Sequence, residues 1–220
     1  MRLRAAVFAS GRGSNFEVLA DRAASTPESA WEVVLLVTDR AEAGAVEAAR
    51  ARSIETSVIA PQEGNADLAD RMIARLQEAR VDLVLLAGYL RLIPPAVVEA
   101  YRGRMLNLHP ALLPGFGGKG MYGRRVHQAV LDSGARISGA TIHLVDEAYD
   151  RGRILAQWPV PVLPGDTAES LQARVCQVEH LLYPAAVDLL ARSLQDGTAP
   201  DVFPRDRPHF RLSDQATDLL

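Results

Sequence analysis

Short apolar runs alternate with amphipathic stretches through the first half of the chain. Arg4–Ala9, Val33–Thr38, Ser57–Ala60, Leu83–Ala87 and Arg104–Leu108 are compact and apolar, bounded by polar or glycine residues. Strands buried on both faces of a parallel sheet read this way. Between them, Phe16–Ala24, Ala43–Arg52, Ala66–Ala79 and Pro95–Arg102 repeat apolar residues at three- and four-residue spacing, with Leu68, Met72, Ile73 and Leu76 on one helical face. Strand–helix–strand alternation implies right-handed crossovers, so the pattern predicts an α/β fold with a doubly wound, mostly parallel sheet.

The pattern changes after residue 138. Gly139–Val145 alternates Ala140, Ile142 and Leu144 against Thr141, His143 and Val145, and Ile154–Leu163 follows across Asp150, Arg151 and Gly152. Two strands joined by a polar, glycine-containing loop predict an antiparallel extension of the sheet. Thr167 suits the N-cap of a long helix running to about Arg192, in which Pro184 is expected to cause a kink or a division. The domain is expected to span residues 1–195, with 196–220 as an extended tail containing Pro200, Pro204 and Pro208.

Composition narrows the class. The 220 residues are 48% hydrophobic and 23% charged, near globular averages, so disorder and coiled coil are excluded for the whole chain. A net charge of −3 gives no general attraction to nucleic acid or anionic membrane. The apolar start Ala5–Ala9 stops at Ser10, too short for a signal core, and Leu83–Leu90 is too short for a membrane helix. A single cysteine, Cys176, fits a reducing compartment, and a cytoplasmic location is expected. Five dispersed histidines and one cysteine show no zinc-ligand spacing, so no metal is assigned. Lys119 is the only lysine among 24 basic residues.

Two segments carry candidate chemistry. Ser10-Gly11-Arg12-Gly13-Ser14-Asn15 joins the first strand to the first helix, where backbone N–H groups and the helix dipole favour an anion such as phosphate. The bland reading is a tight turn capped by Ser14 or Asn15. A dinucleotide reading also starts here, from Gly11-x-Gly13 with Asp39 as the ribose acid, but Phe16 stands where the third glycine belongs. Asn107-Leu108-His109-Pro110 closes the fifth strand, and residues two apart project to the same side. A primary amide beside an imidazole at the carboxyl end of a parallel strand suits acyl transfer. The alternative is a buried pair satisfied by loop backbone. Asp150 in the later loop would raise the His109 pKa if the two met, and otherwise is a turn residue. His143 reads as structural, and His127 opens an amphipathic helix beneath the loop.

Taken in order, Ser10–Asn15, Ala87-Gly-Tyr-Leu-Arg-Leu-Ile93, Asn107-Leu-His-Pro-Ala-Leu-Leu-Pro114, Gly139-Ala-Thr-Ile-His143 with Asp150, and Gln177-Val-Glu-His180 resemble the folate-dependent formyltransferase family, in its phosphoribosylglycinamide formyltransferase branch. The resemblance implies a Rossmann-like formyltransferase fold and transfer of a formyl group from 10-formyltetrahydrofolate, as co-substrate, to glycinamide ribonucleotide in purine synthesis. It implies Asn107, His109 and Asp150 as catalytic residues, with Gly13, Ser14, Asn15 and Glu179 holding the ribonucleotide. Leu90, Arg91, Leu92 and Ile93, with Asn107 and the loop Asp146, Glu147, Ala148, Tyr149 and Asp150, would line the folate pocket. A chain of this length leaves no room for the RNA-binding or regulatory domains of related formyltransferases and deformylases. The expected state is a monomer or homodimer. A formyltetrahydrofolate hydrolase or another formyltransferase on the same scaffold is the second reading, and an NAD(P)-binding oxidoreductase the third. Two positions depart from the family pattern: Asn65 stands nearest a folate-binding arginine of many members, and Arg151-Gly152 replaces Gly-Gly. The Gly117–Gly123 loop reads equally as a flap, with Lys119 as an added phosphate or carboxylate contact, or as a flexible surface loop.

Overall fold

The computed structural model describes residues 1–61 and 67–198. Its elements are β1 (Leu3–Phe8), α1 (Ser14–Ser25), β2 (Trp31–Thr38), α2 (Gly44–Ala51), β3 (Glu55–Val58), α3 (Leu68–Glu78), β4 (Leu83–Leu86), α4 (Pro95–Ala100), β5 (Met105–His109), α5 (Arg124–Asp132), β6 (Ile137–Leu144), β7 (Ile154–Pro161) and α6 (Ala168–Gln195). The seven strands form one sheet in the order β3-β2-β1-β4-β5-β6-β7. β1 to β5 pair in parallel, while β6 and β7 add antiparallel strands at one end. The order reverses between β1 and β4, and open α/β sheets bind ligands at the carboxyl ends of strands flanking such a point.

The period-2 projection of strand side chains divides the core into two layers. Ala5 and Val7 of β1 face one side with Phe16, Leu19, Val175, Tyr183 and Val187 of the covering helices. Ala6 and Phe8 face the other, against Met72, Leu76, Val97 and Val98 of α3 and α4. This is why the central strands are apolar on both faces. β2 starts two residues earlier than its apolar run suggests, because Trp31 is fully buried and its Nε1 donates to Asp188 Oδ1 of α6 at 2.7 Å.

Helix α6 opens on the expected Thr167 cap, with Ser170 completing a reciprocal capping box. The expected break at Pro184 does not divide the helix, which runs on to Gln195. Packing accounts for the continuity: Tyr183, Pro184, Val187 and Leu190 are buried against the sheet, and the Tyr183 hydroxyl lies 3.2 Å from Leu86 O and 3.3 Å from Leu106 O. Among the described residues no helix is long and apolar enough to cross a membrane. Most of the tail, including Pro200, Pro204, Pro208 and His209, lies outside the described residues, as does Asn65.

Candidate active site

A cleft of about 1020 Å³ opens at the carboxyl ends of β1, β4 and β5, where the sheet order reverses. One end is built by the turn after β1. Gly13 has φ +89°, and a Cβ there would come within 2.7 Å of the Ala45 backbone, so only glycine lets this turn pack on α2. Ser14 and Asn15 then start α1 with their backbone N–H groups at the cleft. Asn15 Nδ2 donates to Glu179 Oε2 at 2.8 Å, while Asn15 Oδ1 is buried without a partner. Glu179, on α6, is itself buried, and desolvation pushes its carboxyl pKa up. Thus the structure brings Gly13, Ser14 and Asn15 together with Glu179, which lies 164 residues beyond Asn15 in sequence.

The cleft also holds the polar end of β5. Asn107 and His109 project to the same side, as two-residue spacing requires, and Asp150 reaches them from the loop after β6. Asp150 is held in the left-handed region (φ +54°), where Asp is among the better tolerated side chains. Its Oδ2 accepts the Gly118 N–H at 2.8 Å and lies 3.5 Å from His109 Nδ1; its Oδ1 lies 3.4 Å from Asn107 Nδ2. Gly152 keeps this loop tight, since a Cβ there would sit 1.7 Å from Leu144 O.

His109 lies 2.9 Å through Nε2 from the Phe116 carbonyl. A carbonyl only accepts, so the neutral ring keeps its proton on Nε2 and turns the Nδ1 lone pair toward Asp150. Burial pushes the His109 pKa below its ordinary value, outweighing the upward pull of Asp150 and Phe116 O. Asp150 does pull this pKa up, as expected, but the ring is 3% exposed and desolvation outweighs that pull. Asp150 remains an anion: burial alone would raise its pKa, but the Gly118 N–H on Oδ2, and the neighbouring imidazoles when protonated, hold it below its ordinary value.

His143 belongs to this constellation, although strand alternation alone reads it as structural. Its Nδ1–H donates to Leu144 O at 2.8 Å, leaving Nε2 to accept from Asn107 Nδ2 at 3.0 Å. That bond sets which way the Asn107 amide points. The signal was the hairpin pairing: once β6 lies antiparallel to β5, Asn107 stands opposite His143 and His109 opposite Thr141. Thr141 Oγ1 donates to Ala111 O at 2.6 Å and accepts Leu113 N–H at 3.1 Å, fixing the proline-bounded exit loop.

Leu90, Arg91, Leu92 and Ile93, in the loop after β4, also line the cleft, as do Asp146, Ala148 and Tyr149. Glu147, grouped with them by sequence, instead turns outward to Arg102 and does not line the cleft. Lys119, Met121 and Tyr122 border the opening, and His127 lies beneath them, 1% exposed, with Nδ1 unpartnered. Among the described residues no group of His, Cys, Asp and Glu is arranged to hold a metal.

The formyl transferase pattern matches residues 3–187. The chain belongs to the formyl transferase family. A chloroplastic phosphoribosylglycinamide formyltransferase of Arabidopsis thaliana is 50% identical over 185 residues, which are 83% of this chain and 63% of that protein. The phosphoribosylglycinamide formyltransferase of Bacillus subtilis (strain 168) is 37% identical over 189 residues, 84% of this chain and 93% of its own length. The crystal structure of phosphoribosylglycinamide formyltransferase from Brucella melitensis is 44% identical and superposes with a TM-score of 0.79, covering 87% of this chain and 96% of that one. The chain spans 63% and 61% of the lengths of two plant relatives. Within this formyl transferase fold the dinucleotide reading fails on geometry. Phe16 is fully buried, and Asp39 is buried on Arg91 rather than open to a ribose.

Proposed function

We propose that this formyl transferase moves the formyl group of 10-formyltetrahydrofolate to the amine of glycinamide ribonucleotide, giving formylglycinamide ribonucleotide and tetrahydrofolate. The observation that carries the reading is the Asn107–His109–Asp150 cluster opening into one cleft with the Gly13–Asn15 turn and the Leu90–Ile93 strap. Gly13, Ser14 and Asn15 bind the phosphate through backbone N–H groups, and Glu179 takes ribose hydroxyls. The strap Leu90–Ile93 and the residues Asp146, Ala148, Tyr149 and Asp150 hold the folate. No metal takes part, and an aqueous, reducing compartment such as the cytoplasm suits the free thiol of Cys176.

In this mechanism the neutral amine attacks the formyl carbon, and the carbonyl oxygen becomes an oxyanion. One Asn107 N–H is committed to His143; the other, held loosely at 3.4 Å from Asp150, turns to the oxyanion. A donor in that position is typically worth ~2.7–4 kcal/mol. The amine proton passes to His109 Nδ1, directly or through a water, and completes a charge-assisted pair with Asp150. His109 then gives that proton to N10 of the folate as the C–N10 bond breaks. Resting neutrality of His109 thus suits a base that becomes an acid within one turnover.

The test is deformylation of 10-formyldideazafolate by purified protein, followed by absorbance with and without glycinamide ribonucleotide. The expected result is release only with the ribonucleotide, lost in His109→Ala. Release without it would replace the transferase reading with the hydrolase one.

A further inference from the structure

The phosphate turn and the folate strap meet at one buried serine. Ser10, 3% exposed, donates its backbone N–H to Gly88 O at 3.2 Å and accepts the Leu90 N–H on Oγ at 3.1 Å. Behind it, at the end of β2, lies Asp39, whose side chain is 1% exposed. Asp39 Oδ2 accepts from Arg91 Nε at 2.7 Å and lies 3.9 Å from Arg40 Nε. The neighbouring Ser10 hydroxyl and Arg91 keep the carboxyl ionised against burial. Its charge reaches Tyr89, whose phenol is pushed up to about 12, first by burial and then by Asp39. A carboxylate removed from water persists only with its partners, so the Nε edge of Arg91 is committed inward while half the side chain stays exposed at the cleft.

Asp39 is not among the residues lining the cleft, and no step of the reaction needs it. Resting on the function proposed above, we infer that Asp39 is a positioning residue for the folate: it holds Arg91 in the strap that lines the cleft. A charge pair that served stability alone would leave the affinities of folded protein for its substrates untouched.

Asp39→Asn keeps the shape and can still accept from Arg91, but loses the charge. Neutral hydrogen bonds are about half as strong as charge-assisted ones, so KM for the folate should rise roughly five- to tenfold while KM for the ribonucleotide stays within about twofold. With both substrates saturating, kcat should stay within about threefold of wild type, because the atoms that react are untouched. Arg91→Met should show the same folate defect, and adding Asp39→Asn to it should weaken folate binding no further. Calorimetric titration of the protein with 10-formyldideazafolate, and separately with glycinamide ribonucleotide, reads the same pattern without turnover. Asp39→Asn that binds the folate analogue as tightly as wild type overturns the inference, as does a loss that tracks only the fraction of folded protein. A wild type that binds neither ligand fails the underlying function instead, before any variant is compared.

Discussion

Asp150→Asn isolates the electrostatic part of the proposed chemistry. Asn tolerates the left-handed backbone at this position as well as Asp does, and its carbonyl oxygen can keep the Gly118 N–H bond. What disappears is a negative charge 3.5 Å from His109 Nδ1. At an effective dielectric of about 20, attraction between unit charges at that separation is on the order of 5 kcal/mol. The amide dipole and solvent return part of it, leaving a net loss of about 3 kcal/mol, or roughly 10²-fold in rate. Because His109 is neutral at rest and gains its proton during reaction, the loss belongs to the transition state. The expected result is kcat and kcat/KM falling together while KM for both substrates stays within about twofold. Ribonucleotide-dependent deformylation under steady-state and single-turnover conditions measures this. A kcat within threefold of wild type, or a defect confined to KM, would refute the role given to the Asp150 charge. Asp150 also has a lowered folded-state pKa, so its ionised form adds stability above the unfolded carboxyl pKa and loses it as pH falls through the folded value. The melting difference between wild type and Asp150→Asn should therefore close in acid.

Three further outcomes follow from the site's packing. His143→Phe keeps the ring volume but removes the acceptor that orients Asn107, so kcat should fall about tenfold with substrate KM values little changed; single-turnover rates check it, and an unchanged rate removes His143 from the site. Glu179 has a folded-state pKa raised by burial, so its contribution to stability falls as pH rises through that value. Glu179→Gln should raise the melting temperature at pH 7 while weakening ribonucleotide binding at least tenfold, measured by calorimetry. The His127 pKa is lowered to about 4 by burial and then by His109, so the native state resists its protonation. Stability is full above the unfolded value near 6.5 and should fall by about 3 kcal/mol as pH drops to 4. Urea unfolding of His127→Phe should show a correspondingly shallower acid slope, and a slope identical to wild type would deny the imidazole that role.

The parts of this molecule that sequence makes legible are those governed by local rules. Apolar runs on both faces of a strand announce a central parallel strand, and Ala5 through Ala9 do so because helices cover both sides of β1. Thr167 announces a helix start because its hydroxyl can satisfy an otherwise unpaired N–H. Asn107 and His109 stand out because two-residue spacing at a strand end fixes a common direction before any partner is known. What sequence conceals are balances decided by several distant segments at once. Pro184 reads as a kink or a division, yet Tyr183 reaches two sheet carbonyls and the helix is not divided. His143 reads as one more alternating strand residue until pairing with β5 sets it against Asn107. Asp150 pulls the His109 pKa up, as its meeting with the ring implies, but the net direction is set by burial, which no local spacing reveals. Asp39 shows the same limit: its position suggests a ribose ligand, while the fold spends its carboxylate on Arg91. A short side chain at a strand end identifies where chemistry can occur; the loops that close over it decide the charge state in which it waits.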